Sequence, residues 1–306
     1  MIEIIYRSTK DKEIQELDEF RVGSWINIKN PTEEEIEQVS ELISLKFYDL
    51  QDSLDLYEIP RMEAHKEAIL FFLRTPNLNK KSLLHTEAVT IIVSNEYFIT
   101  ISPKESSLIE NAIVRDIIPT TQRAKLLIFL FREIVDSYTN NIRQVTHNVL
   151  KHKRDVKDIT NKEILLLTQN EDTLNQYLAA LIPIENVFER VMNKNYINFY
   201  EEDKEFLFDV FTAIKQSVNI CKVNLKNIGN FRNSCQTIFS NRLNKTMQFM
   251  TAATIIMTVP TIIASIYGMN LFLPLSAHPN SFWILIGISI LISLMIYIYF
   301  KFRRWI

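Results

Sequence analysis

Near its carboxyl end the chain carries two runs without a single charged residue, 247–267 and 282–300, and few folds can accommodate both. The first is 21 residues long and the second 19. As a helix rising about 1.5 Å per residue, either run matches the roughly 30 Å hydrocarbon layer of a bilayer. The competing reading is a buried helical hairpin of a soluble protein. Such a hairpin needs cover on every side, and nothing else in the chain is long enough to cover two such helices. Two membrane-spanning helices are therefore expected, joined by a connector, 268–281, that holds Pro274, Pro279 and the titratable His278.

The flanking cations give these spans a direction. Arg242 and Lys245 precede the first, while Lys301, Arg303 and Arg304 follow the second within the basic tail 301–306. Lysine and arginine favour the cytosolic side, so both ends of the chain are expected in the cytosol and the connector outside the cell membrane. The amino terminus, MIEIIYRSTKDKEIQELDEF, is charged and lacks the apolar run of a signal peptide, which leaves residues 1 to about 245 cytosolic. Trp283, Tyr297, Tyr299 and Trp305 fall where aromatic side chains anchor at membrane interfaces.

The net charge of −2 conceals a division. Asp209 is the last acidic residue, and nine of the 34 lysines and arginines follow it. Residues 1–209 thus hold 25 basic against 36 acidic residues, a charge of −11, and the remainder carries +9. A basic half suits a membrane or a polyanion, and the apolar tail selects the lipid bilayer over nucleic acid as its partner. With only Gly23, Gly229, Gly268 and Gly287, the chain cannot build a phosphate-cradling loop. A nucleotide-driven pump or enzyme is therefore not expected, and no organic cofactor is implied. Cys221 and Cys235 lack metal-ligand spacing, and the five histidines are scattered, so none receives a catalytic or zinc role.

Upstream, apolar alternation at 25–29, 69–74, 88–94 and 97–101 predicts strands, and 32–45 predicts a helix capped by Thr32. An α+β cytosolic domain, a mixed sheet with helices, is expected over 1–121. From about residue 122 the pattern turns helical over 122–157, 161–195 and 202–267. That gives a cytosolic helical hairpin region, 122–200, and a stalk, 201–246, continuous with the first transmembrane helix. Gly229 is the one residue that argues against continuity, at about 1 kcal/mol.

The first span is not uniformly apolar. Thr251, Thr254, Thr258, Thr261, Ser265 and Gly268 recur at spacings of three and four, which places them on one helical face. Continued backward, that register reaches Met247 and Asn244. Small and hydroxylated residues serve close helix packing, and they also serve the wall of a water-filled pore. The second span carries little beyond Ser281, Ser289, Ser293 and Gly287 to interrupt its apolar surface. Two helices enclose no path, so a pore lined by this face requires several copies around an axis. Pro260 frees the carbonyl of Ile256, which in lipid must find another donor.

The first span closes on Tyr267-Gly268-Met269-Asn270. Here the chain resembles the CorA family of magnesium channels, whose hallmark is a Gly-Met-Asn triplet ending the first of two carboxyl-terminal spans. The resemblance extends through Trp25-Ile26-Asn27-Ile28, Asn30-Pro31-Thr32-Glu33-Glu34-Glu35 and Asn241-Arg242-Leu243-Asn244. It implies a homo-oligomer of five subunits that carries Mg²⁺, with Co²⁺ as a second cargo, through the Thr- and Ser-lined face. Gly268, Met269 and Asn270 would form the outer mouth. Mg²⁺ sheds its first-shell waters reluctantly, so neutral oxygens such as the Asn270 amide can hold the hydrated ion. A left-handed helix cap is the structural alternative for Asn270. The resemblance further implies a regulatory Mg²⁺ site between cytosolic domains, carried onto Asp52 of Leu50-Gln51-Asp52 and Asp209 of Phe208-Asp209-Val210. Each aspartate is also readable as solvated surface charge. Thr212 stands where relatives often carry an acid, and the connector segment Leu271-Phe272-Leu273-Pro274-Leu275-Ser276 lacks the acidic residue common in the family. A zinc or other transition-metal transporter on the same scaffold, and a membrane-anchored binding protein that conducts nothing, are the remaining alternatives.

Overall fold

A computed structural model describes residues 1–77, 84–104, 106–115, 118–152, 161–194, 196–197, 199–270, 273–274, 279–303 and 305. The chain divides into two compact units, Met1–Asn230 and Phe231–Ile306.

The first unit is built on a seven-stranded sheet in the order β2-β1-β3-β7-β6-β5-β4. The strands are β1 (Ile2–Tyr6), β2 (Gln15–Leu17), β3 (Trp25–Lys29), β4 (Arg61–Ala64), β5 (Ala68–Pro76), β6 (Thr86–Ser94) and β7 (Phe98–Ser102). Only β3 and β7 run parallel, so the sheet is mixed as expected. The four strands legible as alternating segments are present. β1, β2 and β4 are additions to that reading, as is helix α3 (Ser107–Arg115).

One face of the sheet buries Ile26, Ile28, Leu70, Phe72, Ile92 and Ile101 against Ile36, Val39 and Ile43 of helix α1 (Glu33–Leu42) and its flank, and against Leu50 of α2 (Phe47–Gln51). Alternation along β5 sends Phe71 to the opposite face, where it meets Phe131 edge-on at 5.3 Å; Phe131 in turn packs 4.5 Å from Phe188. Phe131 belongs to α4 (Arg123–His152) and Phe188 to α5 (Asn161–Asn193). The unit is therefore layered, with α1 and α2 on one side of the sheet and α4 and α5 on the other, and with α3 packed against α4.

α1 starts where Thr32 caps it. The Thr32 hydroxyl accepts from the Glu35 amide at 3.2 Å, and the Glu35 carboxylate accepts from the Thr32 amide at 3.0 Å. Such a reciprocal cap contributes about 1 kcal/mol. The helix ends at Leu42, with Ile43 as its cap and Ser44, whose φ is 56°, turning the chain. It is thus shorter than the predicted 32–45. Between β3 and β7 a polar chain crosses the sheet: Trp25 Nε1 donates to Thr100 Oγ1 at 2.9 Å, which donates to Asn27 Oδ1 at 2.9 Å. This gives the Trp25-Ile26-Asn27-Ile28 segment its pattern of apolar residues inward and polar partners across the parallel pair.

The predicted helix 122–157 is observed as α4, its residues 153–157 lying outside the described residues. The last long helix, α6 (Glu201–Tyr267), runs 67 residues, about 100 Å, without interruption at Gly229 or Pro260. Within the first unit it is tied to α4 by the Thr139 and Ser217 hydroxyls, 3.0 Å apart, and by Asn224 Nδ2 donating to Thr146 Oγ1 at 2.7 Å. The second unit holds the carboxyl portion of α6 and helix α7 (Ser281–Phe302). Both helices are long and apolar enough to cross a membrane.

Candidate functional site

The hydroxyl face of α6 is exposed along its whole length. Asn244, Met247, Thr251, Thr254, Thr258, Thr261, Ser265 and Gly268 are all open, whereas Ala252 is buried and Ile256, Val259, Ile263 and Tyr267 are partly covered on another face. Three of the threonines turn their protons onto the helix itself. Thr254 Oγ1 donates to the Met250 carbonyl at 2.9 Å, Thr258 to Thr254 at 2.8 Å and Thr261 to Met257 at 3.0 Å.

Pro260 leaves the Ile256 carbonyl without its helical donor, and the partner comes from α7: Ser293 Oγ donates to Ile256 O at 3.4 Å. The sequence identifies the need at Ile256; the residue that meets it lies 37 positions away.

α6 closes at the triplet. The Gly268 amide donates to the Ala264 carbonyl at 2.9 Å and the Met269 amide to Ile266 at 3.2 Å. A Cβ at Gly268 would sit 3.2 Å from that Ala264 oxygen, closer than nearly all real contacts, so the turn favours glycine for space. Among the described residues only Asn30 and Ser44 are non-glycine residues with positive φ, so Asn270 is not a left-handed cap. It is exposed, as is Met269. Tyr267 donates its hydroxyl to the Pro274 carbonyl at 3.3 Å and ties the connector back to the helix. Leu271, Phe272, Leu275, Ser276, His278 and Arg304 lie outside the described residues.

In the first unit the two predicted sensor aspartates occupy different surroundings. Asp52 opens a 3₁₀ turn, Asp52–Leu54, after α2. Leu50 and Ser53 are buried on either side of it, which fixes Asp52 as an exposed carboxylate on an anchored turn. Arg61 reaches it from the start of β4, with Nη2 2.6 Å from Asp52 Oδ2. The same guanidinium donates Nε to Glu63 at 2.7 Å and Nη1 to Glu58, and lies 4.0 Å above the Phe72 ring. Partnership with these carboxylates raises the Arg61 pKa despite the opposing effect of partial burial.

The segment carrying Glu58 hangs on Arg74. This buried guanidinium donates to the carbonyls of Leu56 at 3.0 Å and Glu58 at 3.1 Å, and to the Thr86 hydroxyl and carbonyl at 2.8 and 3.0 Å. Its own carbonyl accepts from the buried Tyr138 hydroxyl at 2.9 Å. Glu87 lies close by on β6, and burial pushes its carboxyl upward.

Asp209 lines a cleft of about 500 Å³ between the amino end of α6 and α4. Asp136, Glu202 and Asp203 share that cleft with Asp209, against Lys125 and Arg132. Asp203 is buried, and its Oδ2 has no hydrogen-bond partner. Arg132 stands 3.6 Å from Asp136. Among the described residues no group of three or more potential ligands is already gathered around one point. Asp52 is not part of this cleft. Arg61, Arg74 and Asp136 escaped the sequence reading because they lie 9 to 73 residues from Asp52 or Asp209, and Asp203, six residues before Asp209, stands in no pattern that marks it as buried.

A mixed sheet backed by long helices, one of which continues into the first of two apolar spans ending in Gly-Met-Asn, defines a class of membrane transport protein. The family model described as CorA-like Mg²⁺ transporter protein matches residues 21–304, and the chain belongs to that family. The cobalt/magnesium transport protein CorA of Methanocaldococcus jannaschii is 25% identical over 292 residues, covering 92% of this chain and 91% of the relative. The magnesium transport protein CorA of Helicobacter pylori strain 26695 is 21% identical over 291 residues, covering 92% and 90%. The complete structure of the M. jannaschii CorA magnesium transporter superposes with a TM-score of 0.86 at 22% identity, covering 100% of this chain and 99% of that one.

Proposed function

We propose that the chain is one subunit of a closed homo-oligomeric ring, a pentamer, that lets Mg²⁺ enter the cell passively. The ring sits in the cell membrane with both chain ends in the cytosol. Its pore is lined by the α6 face from Asn244 to Ser265, and its outer mouth by Gly268, Met269 and Asn270. The observation that carries this reading is the ladder itself: a charge-free, membrane-length stretch of α6 with Thr251, Thr254, Thr258, Thr261 and Ser265 in one register, in a member of the CorA-like family. A helix facing lipid on all sides has no use for such a ladder. The ion passes hydrated, its water hydrogens met by neutral oxygens, and it leaves readily because no carboxylate holds it.

Internal Mg²⁺ closes the ring. Residues 1–209 carry −11 per copy, and bringing copies together concentrates like charge at their contacts. A divalent ion bound between Asp52 of one copy and Asp209 of the next relieves it.

Uptake of Mg²⁺ into proteoliposomes containing this protein alone tests the transport. Flux is expected with wild type and lost with Asn270→Ala in a ring that stays assembled. No flux from an assembled wild-type ring overturns the reading. Parallel runs with Co²⁺ and Zn²⁺ rank the cargo, and a marked preference for Zn²⁺ would move the assignment to a transition-metal carrier.

A further inference from the structure

Arg61 already supplies Asp52 with a cation. We propose that Arg61 is a tethered competitor for the regulatory ion, so that Mg²⁺ reaches Asp52 only by displacing a guanidinium. The inference rests on the proposed closure by internal Mg²⁺ and names the residue that sets its threshold.

The geometry makes Asp52 the partner that Arg61 can most easily release. The Glu58 carboxylate is 16% exposed and Glu63 36%, whereas Asp52 is 53% exposed. With Glu58, Glu63 and the Phe72 ring all holding the guanidinium, loss of the Asp52 contact leaves Arg61 in place and still compensated. Arg74 keeps the Glu58 segment from following, because it grips the carbonyls of Leu56 and Glu58. Asp52, on its turn between buried Leu50 and Ser53, stays oriented whichever cation it holds. The exchange therefore requires little rearrangement. It also has a defined cost: a divalent ion arriving at Asp52 meets a fixed positive charge within a few ångströms, which weakens its binding. Across roughly 6–8 Å of well-solvated surface, one unit charge changes the affinity of a divalent ion by about three- to tenfold.

The test is limited proteolysis of the full-length protein in gentle detergent across a Mg²⁺ titration. Wild type, Arg61→Met and Arg61→Lys are compared, each also in an Asp52→Asn background. Methionine keeps an apolar stem over Phe72 and removes the charge. Lysine keeps the charge but has no fork to hold three carboxylates at once. The protection midpoint is expected to fall by about three- to tenfold in Arg61→Met, with Arg61→Lys between it and wild type. In the Asp52→Asn background the shift should vanish, an outcome that a general loss of folding stability would not produce. If wild type is protected and Arg61→Met has the same midpoint, or a higher one, the competition is overturned while closure by Mg²⁺ stands. Should Arg61→Met not fold, Arg61→Gln removes the same charge on a shorter polar stem, and an unchanged midpoint there overturns the competition equally. Absence of Mg²⁺ protection in wild type removes the closure reading, and this inference with it.

Discussion

Arg74 shows how much of a site can depend on one buried side chain that never touches its ligand. Its four hydrogen bonds satisfy the Leu56, Glu58 and Thr86 carbonyls and the Thr86 hydroxyl. Arg74→Met would leave those acceptors in the interior without donors, and should lower unfolding stability by about 2–4 kcal/mol in a denaturant titration. Glu87 beside it acts in the opposite sense. Burial raises its pKa above the ordinary 4.5, so the folded state holds that proton more tightly than the unfolded chain does. Its contribution therefore favours folding at acid pH and is lost as pH rises from about 4.5 through the raised folded value. Glu87→Gln is expected to raise the melting temperature at neutral pH and to flatten its dependence on pH in that window. A steeper dependence would mean that the ionised carboxylate is stabilised by Arg74 after all.

At the scale of elements, α6 carries two residues that ordinarily interrupt helices, and each makes a separate prediction. A Cβ at Gly229 would meet nothing within 4 Å, so Gly229→Ala should stabilise the stalk by about 1 kcal/mol, read as a higher melting temperature. Pro260 and Ser293 form a coupled pair across two helices. Ser293→Ala should cost about 1 kcal/mol in detergent, and almost nothing once Pro260→Ala has restored the amide that bonds the Ile256 carbonyl. Equal costs in both backgrounds would assign Ser293 to packing alone. The same contrast explains what the sequence made legible. β3, β5, β6 and β7 are central or long strands whose apolar residues are set by two covered faces. β2 is the three-residue Gln15–Leu17, and β4 reads Arg-Met-Glu-Ala; both lie at sheet edges and owe their form to a neighbour rather than to a period of their own. The seam on α6 was legible because its chemistry repeats every three or four residues. Ser293 was not, since a single hydroxyl in an apolar helix has no pattern to announce it.

For the whole molecule, the charge of −11 on residues 1–209 and +9 on the remainder is repeated in every copy of the proposed ring. Native mass spectrometry in gentle detergent should therefore find five copies, and a monomer under those conditions would exclude the pore. Asp52→Ala with Asp209→Ala should weaken protection of the cytosolic part by millimolar Mg²⁺ and lessen inhibition of flux, without dissolving the ring, because two repelling charges per copy are also gone. Identical protection midpoints in wild type and the double variant would return both aspartates to plain surface charge. The threonine ladder has a consequence of another kind. Since Thr254, Thr258 and Thr261 each donate their proton to a carbonyl of their own helix, only lone pairs at these three positions are left for the lumen of the proposed pore. Five copies of such a helix make a one-sided solvent. Over the stretch from Thr254 to Thr261 it can replace the outer water of a cation, whose hydrogens point outward, but offers chloride no hydroxyl proton. Discrimination by sign would then be built into that stretch of the proposed pore without any fixed charge.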